Sequence, residues 1–320
     1  MMKKSKKGAR KKKYDVICVG SVTIDCFVDL PVDFNNIKHG SKLIINDINL
    51  LTGGGASNVA VGLRRLGLKT GYIGEVGDDH SAYIIRRDLE KEGVDFLVKQ
   101  HSRHQTAYSV ILESKGKDRA ILVYKGASSY LHPEEVRGIP MSTGWFYFSS
   151  MMGPSLKTMN RIANIARKKK IKVFFNPSSY MIKKCRKEMK NILSVTTIIS
   201  INKEEAQALV GSRSTNPKTL LKGMKDLGPE FCIMTDGKKG AYAYDGKTVI
   251  HKKGNSKAVE TTGAGDAFNA GFLGGYLIKK NLPADRRLKF AMRIGTENAQ
   301  AVIKQVGAKT GLLHRKKIMR

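Results

Sequence analysis

Residues 258–276, Ala-Val-Glu-Thr-Thr-Gly-Ala-Gly-Asp-Ala-Phe-Asn-Ala-Gly-Phe-Leu-Gly-Gly-Tyr, constrain this chain more than any other stretch. A glycine-rich turn runs straight into an apolar helix of small residues, with Asp266 at its mouth. Gly263 and Gly265 carry no Cβ, so successive N–H groups can be aimed at one point. A helix starting near Ala264 adds unpaired donors and the positive end of its dipole. Phosphate oxygens suit such a place. A bound phosphate would repel a carboxylate there, so the acid is costly unless it acts on something, such as the proton of a hydroxyl attacking the phosphate. The plainer reading is that Asp266 caps the helix and the glycines only make a turn.

The rest of the chain reads as a sheet on which such a helix can stand. Tyr14–Gly20 is apolar enough for a buried strand, and a second apolar stretch, Cys26–Leu30, leaves Asp25 in the gap between them. Residues 31–52 read as strand and turn. Gly53-Gly54-Gly55-Ala-Ser-Asn58 opens a helix that Gly67 ends. The spacing is not Gly-x-Gly-x-x-Gly, so this is no dinucleotide fingerprint; it offers a small ligand bare backbone, and Asn58 adds a donor and an acceptor. From Tyr72 onward strand, helix (80–92) and strand (94–98) alternate, which implies a parallel sheet.

Thr106–Tyr124 breaks the alternation with two strands around Glu-Ser-Lys-Gly-Lys-Asp. With residues 26–50 it is expected to form a small sheet over the glycine-rich site, a lid; the competing reading is an extension of the main sheet. Alternation then resumes, with strands at 145–149, 173–175, 197–201 and 231–235 and helices at 156–170, near 182–191, from Asn202, and near 217–227. Asn202 and Glu205 fit a capping box, or a carboxylate placed at a strand end to meet hydrated Mg²⁺. Asp236-Gly237-Lys-Lys-Gly240 closes one strand. Ala241–Ile250 is a hairpin whose Gly246-Lys-Thr imitates a P-loop without its first glycine or its helix, and 284–305 is a long amphipathic helix.

Charge and cysteine content bound the partners. The formal net charge is +31, of which residues 1–13 hold eight Lys or Arg and no acid, leaving +23 on the remainder. The arm is expected to be a disordered, solvated tail, with RNA or anionic-lipid contact as the sharper alternative. Four cysteines without Cys-x-x-Cys spacing suggest neither a disulfide framework nor zinc, and point to a reducing cytoplasm. No apolar run is long enough to span a bilayer, and the apolar run after the basic start is too short and too interrupted for a secretion signal.

Asp25, Gly53–Asn58, Asn202 with Glu205, Thr235-Asp-Gly-Lys-Lys-Gly240-Ala and Thr261-Thr-Gly-Ala-Gly-Asp266-Ala-Phe stand in an order and spacing that resemble the ribokinase family, the PfkB-type carbohydrate kinases, from residue 14 to about 312. The resemblance implies an α/β fold, a Rossmann-like mainly parallel central sheet flanked by helices with a small β-sheet lid. It also implies a sugar pocket under that lid and ATP with Mg²⁺ alongside. By the same resemblance Asp25, Gly54, Gly55 and Asn58 hold the sugar hydroxyls, Asp266 is the catalytic base, and Gly263, Ala264 and Gly265 form the anion hole. Asn202 and Glu205 organise Mg²⁺ and phosphate, Thr235, Gly237 and Gly240 belong to the nucleotide side, and Asn298 lies near the adenine.

Three positions depart from the pattern. Glu260 stands where many members have Asp beside a monovalent-cation site. Gly55 stands where ribokinases proper often carry Lys, and Ser149-Ser150-Met151 offers no acid of the kind some ribose-binding members use. The expected activity is transfer of the γ-phosphoryl group of ATP to a hydroxyl of a sugar-like acceptor. A nucleoside kinase is the alternative, with Phe27, Phe34, Tyr108 and Tyr124 available to sandwich a base; a non-catalytic RNA-associated homologue is a remoter one. A homodimer and nucleic-acid contact by the arm stay open as partners.

Overall fold

The computed structural model describes residues 14–98, 102–116, 118–254 and 262–319. Strands β1 (Tyr14–Val19), β2 (Thr23–Asp29) and β3 (Asp47–Gly53) lead into α1 (Gly55–Arg65), and β4 (Thr70–Ile73) into α2 (His80–Lys91). The short β5 (Asp95–Phe96) precedes the hairpin β6 (Tyr108–Glu113) and β7 (Arg119–Tyr124). Next come β8 (Thr143–Phe148), α3 (Gly153–Lys169), β9 (Lys172–Phe175), α4 (Ser179–Lys184) and α5 (Arg186–Leu193). They are followed by β10 (Ile198–Asn202), α6 (Lys203–Val210), α7 (Pro217–Asp226) and β11 (Phe231–Thr235). The chain closes with β12 (Ala241–Tyr244), β13 (Val249–Lys252), α8 (Ala264–Ile278), α9 (Ala284–Val302) and α10 (Arg315–Ile318).

The main sheet has nine strands in the order β13-β12-β11-β10-β9-β8-β1-β4-β5. It is parallel except where β12 runs antiparallel to β11 and to β13. Its strands are apolar on both faces because helices cover both. Successive residues serve opposite cores: Ile17 and Val19 of β1 pack toward α3–α7, while Val16 and Cys18 pack toward α1, α2, α8 and α9. Helix starts follow the chemistry of orphan N–H groups. Asp79 accepts from the Ala82 N–H at 2.8 Å, and Asn216 from the Lys218 N–H at 2.9 Å ahead of Pro217. Among the described residues no helix is long and apolar enough to cross a membrane.

A separate four-stranded sheet, β3-β2-β6-β7, stands beside the main one, so these strands do not extend it. It is mixed: β2 pairs with β3 antiparallel but with β6 parallel. Asp25 lies inside β2, opposite Leu51 and Ser109, and not in a gap before it. The helix expected near 182–191 is two helices with Cys185 between them. All four cysteines are free thiols. The basic arm and Glu260 lie outside the described residues.

Candidate active site

Strand order reverses at β1, which has β4 on one side and β8 on the other, and open α/β sheets take ligands at the carboxyl edge of such a switch. Residues at that edge line one polar cleft: Ser21 after β1, Ser149 after β8, Asn176 after β9, Asn202 ending β10 and Thr235 ending β11. Its volume is about 330 Å³, and it reaches Gly55, Glu205, Gly265 and Asp266. A second, apolar cavity of about 250 Å³ shares Thr235 and Gly265 with it. This one lies between Gly237 and Gly240 after β11, Ala264 and Phe268 of α8, and Thr296, Ala299 and Ile303 at the end of α9.

Asp266 sits in the first turn of α8, behind an N-cap, Gly263, whose φ of 77° suits glycine. A Cβ at Gly263 would press into Ala308. The carboxylate is held from a second glycine turn, since Asn58 Nδ2 of α1 donates to Asp266 Oδ2 at 2.8 Å. That turn needs Gly54, with φ 97° and no room for a Cβ, which would stand 2.5 Å from Val22 Cα. Burial pushes the Asp266 carboxyl up to about 7; the Asn58 hydrogen bond opposes this and the Asp25 charge adds to it. Taken as a free side chain, Asp266 would be a weak base of ordinary pKa near ~3.9. Half-buried at the head of a helix and held by Asn58, it is poised to exchange a proton near neutrality.

Asp25 is itself buried, with its carboxylate over Gly53 where a Cβ would otherwise sit. It acts electrostatically on Asp266, Lys125 and Lys309. On the opposite wall the capping box forms: Glu205 N–H donates to Asn202 Oδ1 at 2.8 Å, and Asn202 N–H to Glu205 Oε2 at 3.0 Å. Ser179 Oγ donates to the other carboxylate oxygen, Oε1, at 2.9 Å. Capping and a place at the cleft are therefore both true of this pair. Beneath the floor Asn269, Tyr147 and Asn176 form a chain, with Asn269 Nδ2 3.2 Å from Tyr147 OH and Tyr147 OH 3.3 Å from Asn176 Oδ1. Arg119 of β7 reaches from the small sheet to Thr262, Nη1 to Oγ1 at 3.0 Å, beside the turn that begins α8.

Thus Gly55, Asn202, Glu205, Thr235, Gly265 and Asp266 meet in one cleft, with Asn58 behind Asp266, and Gly237, Gly240 and Ala264 in the next cavity. Asn298 goes elsewhere. Its side chain is buried, donating to Ala267 O at 2.6 Å and accepting from Leu313 N at 2.8 Å, so it joins α8, α9 and the C-terminal segment while Thr296 and Ala299 line the cavity. Sequence reading missed Lys125 and Ser21 in the polar cleft and Phe268 in the apolar one. Lys125 stands in no motif, and 58 Lys and Arg hide it.

The architecture is ribokinase-like: an adenosine kinase structure from Sinorhizobium meliloti superposes with a TM-score of 0.80 at 25% identity, over 97% of this chain and 99% of that one. The profile of the pfkB family carbohydrate kinases matches residues 13–315, and the chain belongs to that family. An uncharacterised sugar kinase of Archaeoglobus fulgidus is 34% identical over 260 residues, covering 79% of this chain and 98% of its own. A ribokinase of Haemophilus influenzae is 28% identical, covering 92% of this chain and 94% of its own. The protein is accordingly a sugar or nucleoside kinase, a phosphotransferase acting on a hydroxyl group.

Proposed function

We propose that this chain transfers the γ-phosphoryl group of ATP to a hydroxyl of a sugar acceptor, with Asp266 taking the hydroxyl proton. The observation that carries the reading is the place of Asp266, half-buried in the first turn of α8 on the wall of the polar cleft, where the neighbouring Gly265 also lines the apolar cavity. The apolar cavity suits a purine base and the shared edge, Thr235 and Gly265, suits the phosphates between. The acceptor oxygen attacks the γ-phosphorus, the bond to the β-bridging oxygen breaks with its electron pair leaving on ADP, and the proton passes to Asp266. Such a loose transition state asks the protein for position and charge rather than covalent chemistry. N–H groups of Gly263, Ala264 and Gly265 receive the charge that develops on phosphate oxygens.

Mg²⁺ would fit at Glu205 and Asn202. Each Glu205 oxygen accepts one hydrogen bond and keeps a lone pair, and the pair borders the cleft. Among the described residues no cluster of three His, Cys, Asp or Glu could hold an ion, which agrees with a metal bound largely by phosphate and its own water. The ion would neutralise phosphate charge there.

The nucleoside alternative finds support in the adenosine kinase likeness. The strand register works against it: Tyr108 pairs with Ile24 and Tyr124, and Phe34 packs with Cys26, Val28 and Tyr108, all on the face of the small sheet opposite Asp25. Of the four aromatics only Phe27 shares the face of Asp25. ADP release is the test. Asp266→Asn should lower turnover on the order of 10²- to 10⁴-fold while ATP binding, read by calorimetry, stays close to that of the unmodified chain. A variant near full rate would remove Asp266 from the chemistry.

A further inference from the structure

The acceptor end of the cleft carries a cation that phosphoryl transfer as described does not use. Lys125, the residue after β7, lines the cleft together with Asp266, Gly55, Ser21 and Ser149. Among the described residues its ammonium makes no salt bridge and no hydrogen bond. As a residue Lys125 is exposed, so its ammonium borders the cleft with solvent at its back; what burial it has pushes its pKa down, and the Asp25 charge pulls it back. The other cation that feels Asp25 is differently placed. Lys309 Nζ is 2.8 Å from both Asp88 Oδ2 and Thr52 Oγ1, so its charge is already matched.

The hydroxyls of Ser21 and Ser149 on the same wall likewise have no hydrogen-bond partner among the described residues. A lysine and two free hydroxyls form a donor set, and a donor set in a pocket calls for an acceptor-rich group. Two such groups enter this cleft in the reaction, the donor triphosphate and whatever the acceptor carries. The triphosphate side is marked by the α8 turn, Asn202, Glu205 and Thr235. Lys125 follows directly on β7 of the small sheet, the sheet whose β2 carries Asp25, whereas Asn202, Glu205 and Thr235 stand at or just after the ends of β10 and β11 of the main sheet.

We propose that Lys125 is a specificity-determining residue that holds an anionic substituent of the acceptor, with Ser21 and Ser149 completing the contact, so that the preferred acceptor is a sugar bearing a phosphate or a carboxylate. The proposal rests on the kinase reading above and narrows its acceptor. The anionic substituent takes no part in the bond changes: it stays bound to Lys125 while a hydroxyl elsewhere on the sugar is phosphorylated.

The test measures ADP release by the full chain with D-ribose and adenosine as neutral acceptors, D-fructose 6-phosphate and D-ribose 1-phosphate as phosphates, and 2-keto-3-deoxy-D-gluconate as a carboxylate. Wild type should favour at least one anionic acceptor over both neutral ones in kcat/KM. Which arm responds identifies the anion. Lys125→Met should cut kcat/KM for that acceptor by roughly 10- to 100-fold, mainly through KM, the worth of a charge-assisted hydrogen bond. Lys125→Arg should recover part of it. A wild type that prefers ribose or adenosine overturns the proposal and leaves the kinase reading intact. So does a Lys125→Met variant whose kcat falls equally for neutral and anionic acceptors, since the lysine would then serve the phosphoryl group in transit. No ADP release with any acceptor, despite ATP binding, would overturn the kinase reading and the proposal with it.

Discussion

At the scale of single residues, the site is two glycine turns brought face to face with one half-buried carboxylate held between them. Asp266 receives one hydrogen bond, from Asn58, and pays for its position with a pKa pushed up to about 7. That displacement has a kinetic signature. Asp266 accepts a proton only when ionised, so kcat/KM for the acceptor should climb about tenfold per pH unit below 7 and level off above it. Burial is the largest cause, so Asn58→Ala, which removes the opposing hydrogen bond, should move the inflection upward. An acid limb turning near 4 would mean that the carboxylate is solvated during turnover. The Asp266 motif was legible in sequence because its chemistry is local: glycine, alanine, glycine and an acid within four residues. The raised pKa was not, because it depends on a fold that excludes water and brings Asp25 close.

At the scale of elements, the alternating strands and helices were readable wherever an apolar run was bounded by turn residues, as in β9 through α6. What the sequence left open was pairing. Val110, Leu112, Ile121 and Val123 read equally well as an edge of the main sheet or as a separate one, because alternation along a strand does not name its partner; the register in fact sets Ile121 and Val123 opposite Ile111 and Ser109, exposed, on the other face from Val110 and Leu112. The parallel β2–β6 register, which sets the second sheet apart, is a long-range choice. Asn298 shows the same gap from the other side: the family resemblance implies a nucleotide contact there, whereas its side chain turns to Ala267 and Leu313. Asn298→Ala should therefore act on stability. Removing a fully buried side chain that satisfies a backbone carbonyl and a backbone N–H should cost about 2 kcal/mol in denaturant unfolding. KM for ATP should stay within roughly twofold; a large rise in KM at unchanged stability would return Asn298 to the nucleotide.

At the scale of the whole molecule, the fold sorts a charge that looked evenly spread. Residues 153–227, which supply α3–α7, carry 17 Lys or Arg against four Asp or Glu. These helices share one face of the main sheet. Part of the concentration is stabilising: Lys or Arg stands in the last turn of α3, α4, α5 and α7, where helix dipoles present partial negative charge. That interaction fades within a turn, whereas repulsion among the cations extends across the layer. Raising salt from about 20 mM to about 300 mM KCl shortens the Debye length from roughly 20 Å to roughly 6 Å, which screens the second more than the first. Tm should rise by roughly 1.5–3 °C, equivalent to about 1–2 kcal/mol for a chain this long. The layer can be tested against the bulk charge by reversing two lysines, Lys168→Glu with Lys187→Glu, and comparing Arg87→Glu with Lys289→Glu on the opposite layer. The first pair should flatten the salt dependence more than the second, because it removes charge where neighbours are densest. Equal flattening would mean that net charge alone sets the response, and a Tm indifferent to salt would mean that the layer is not under repulsion at all.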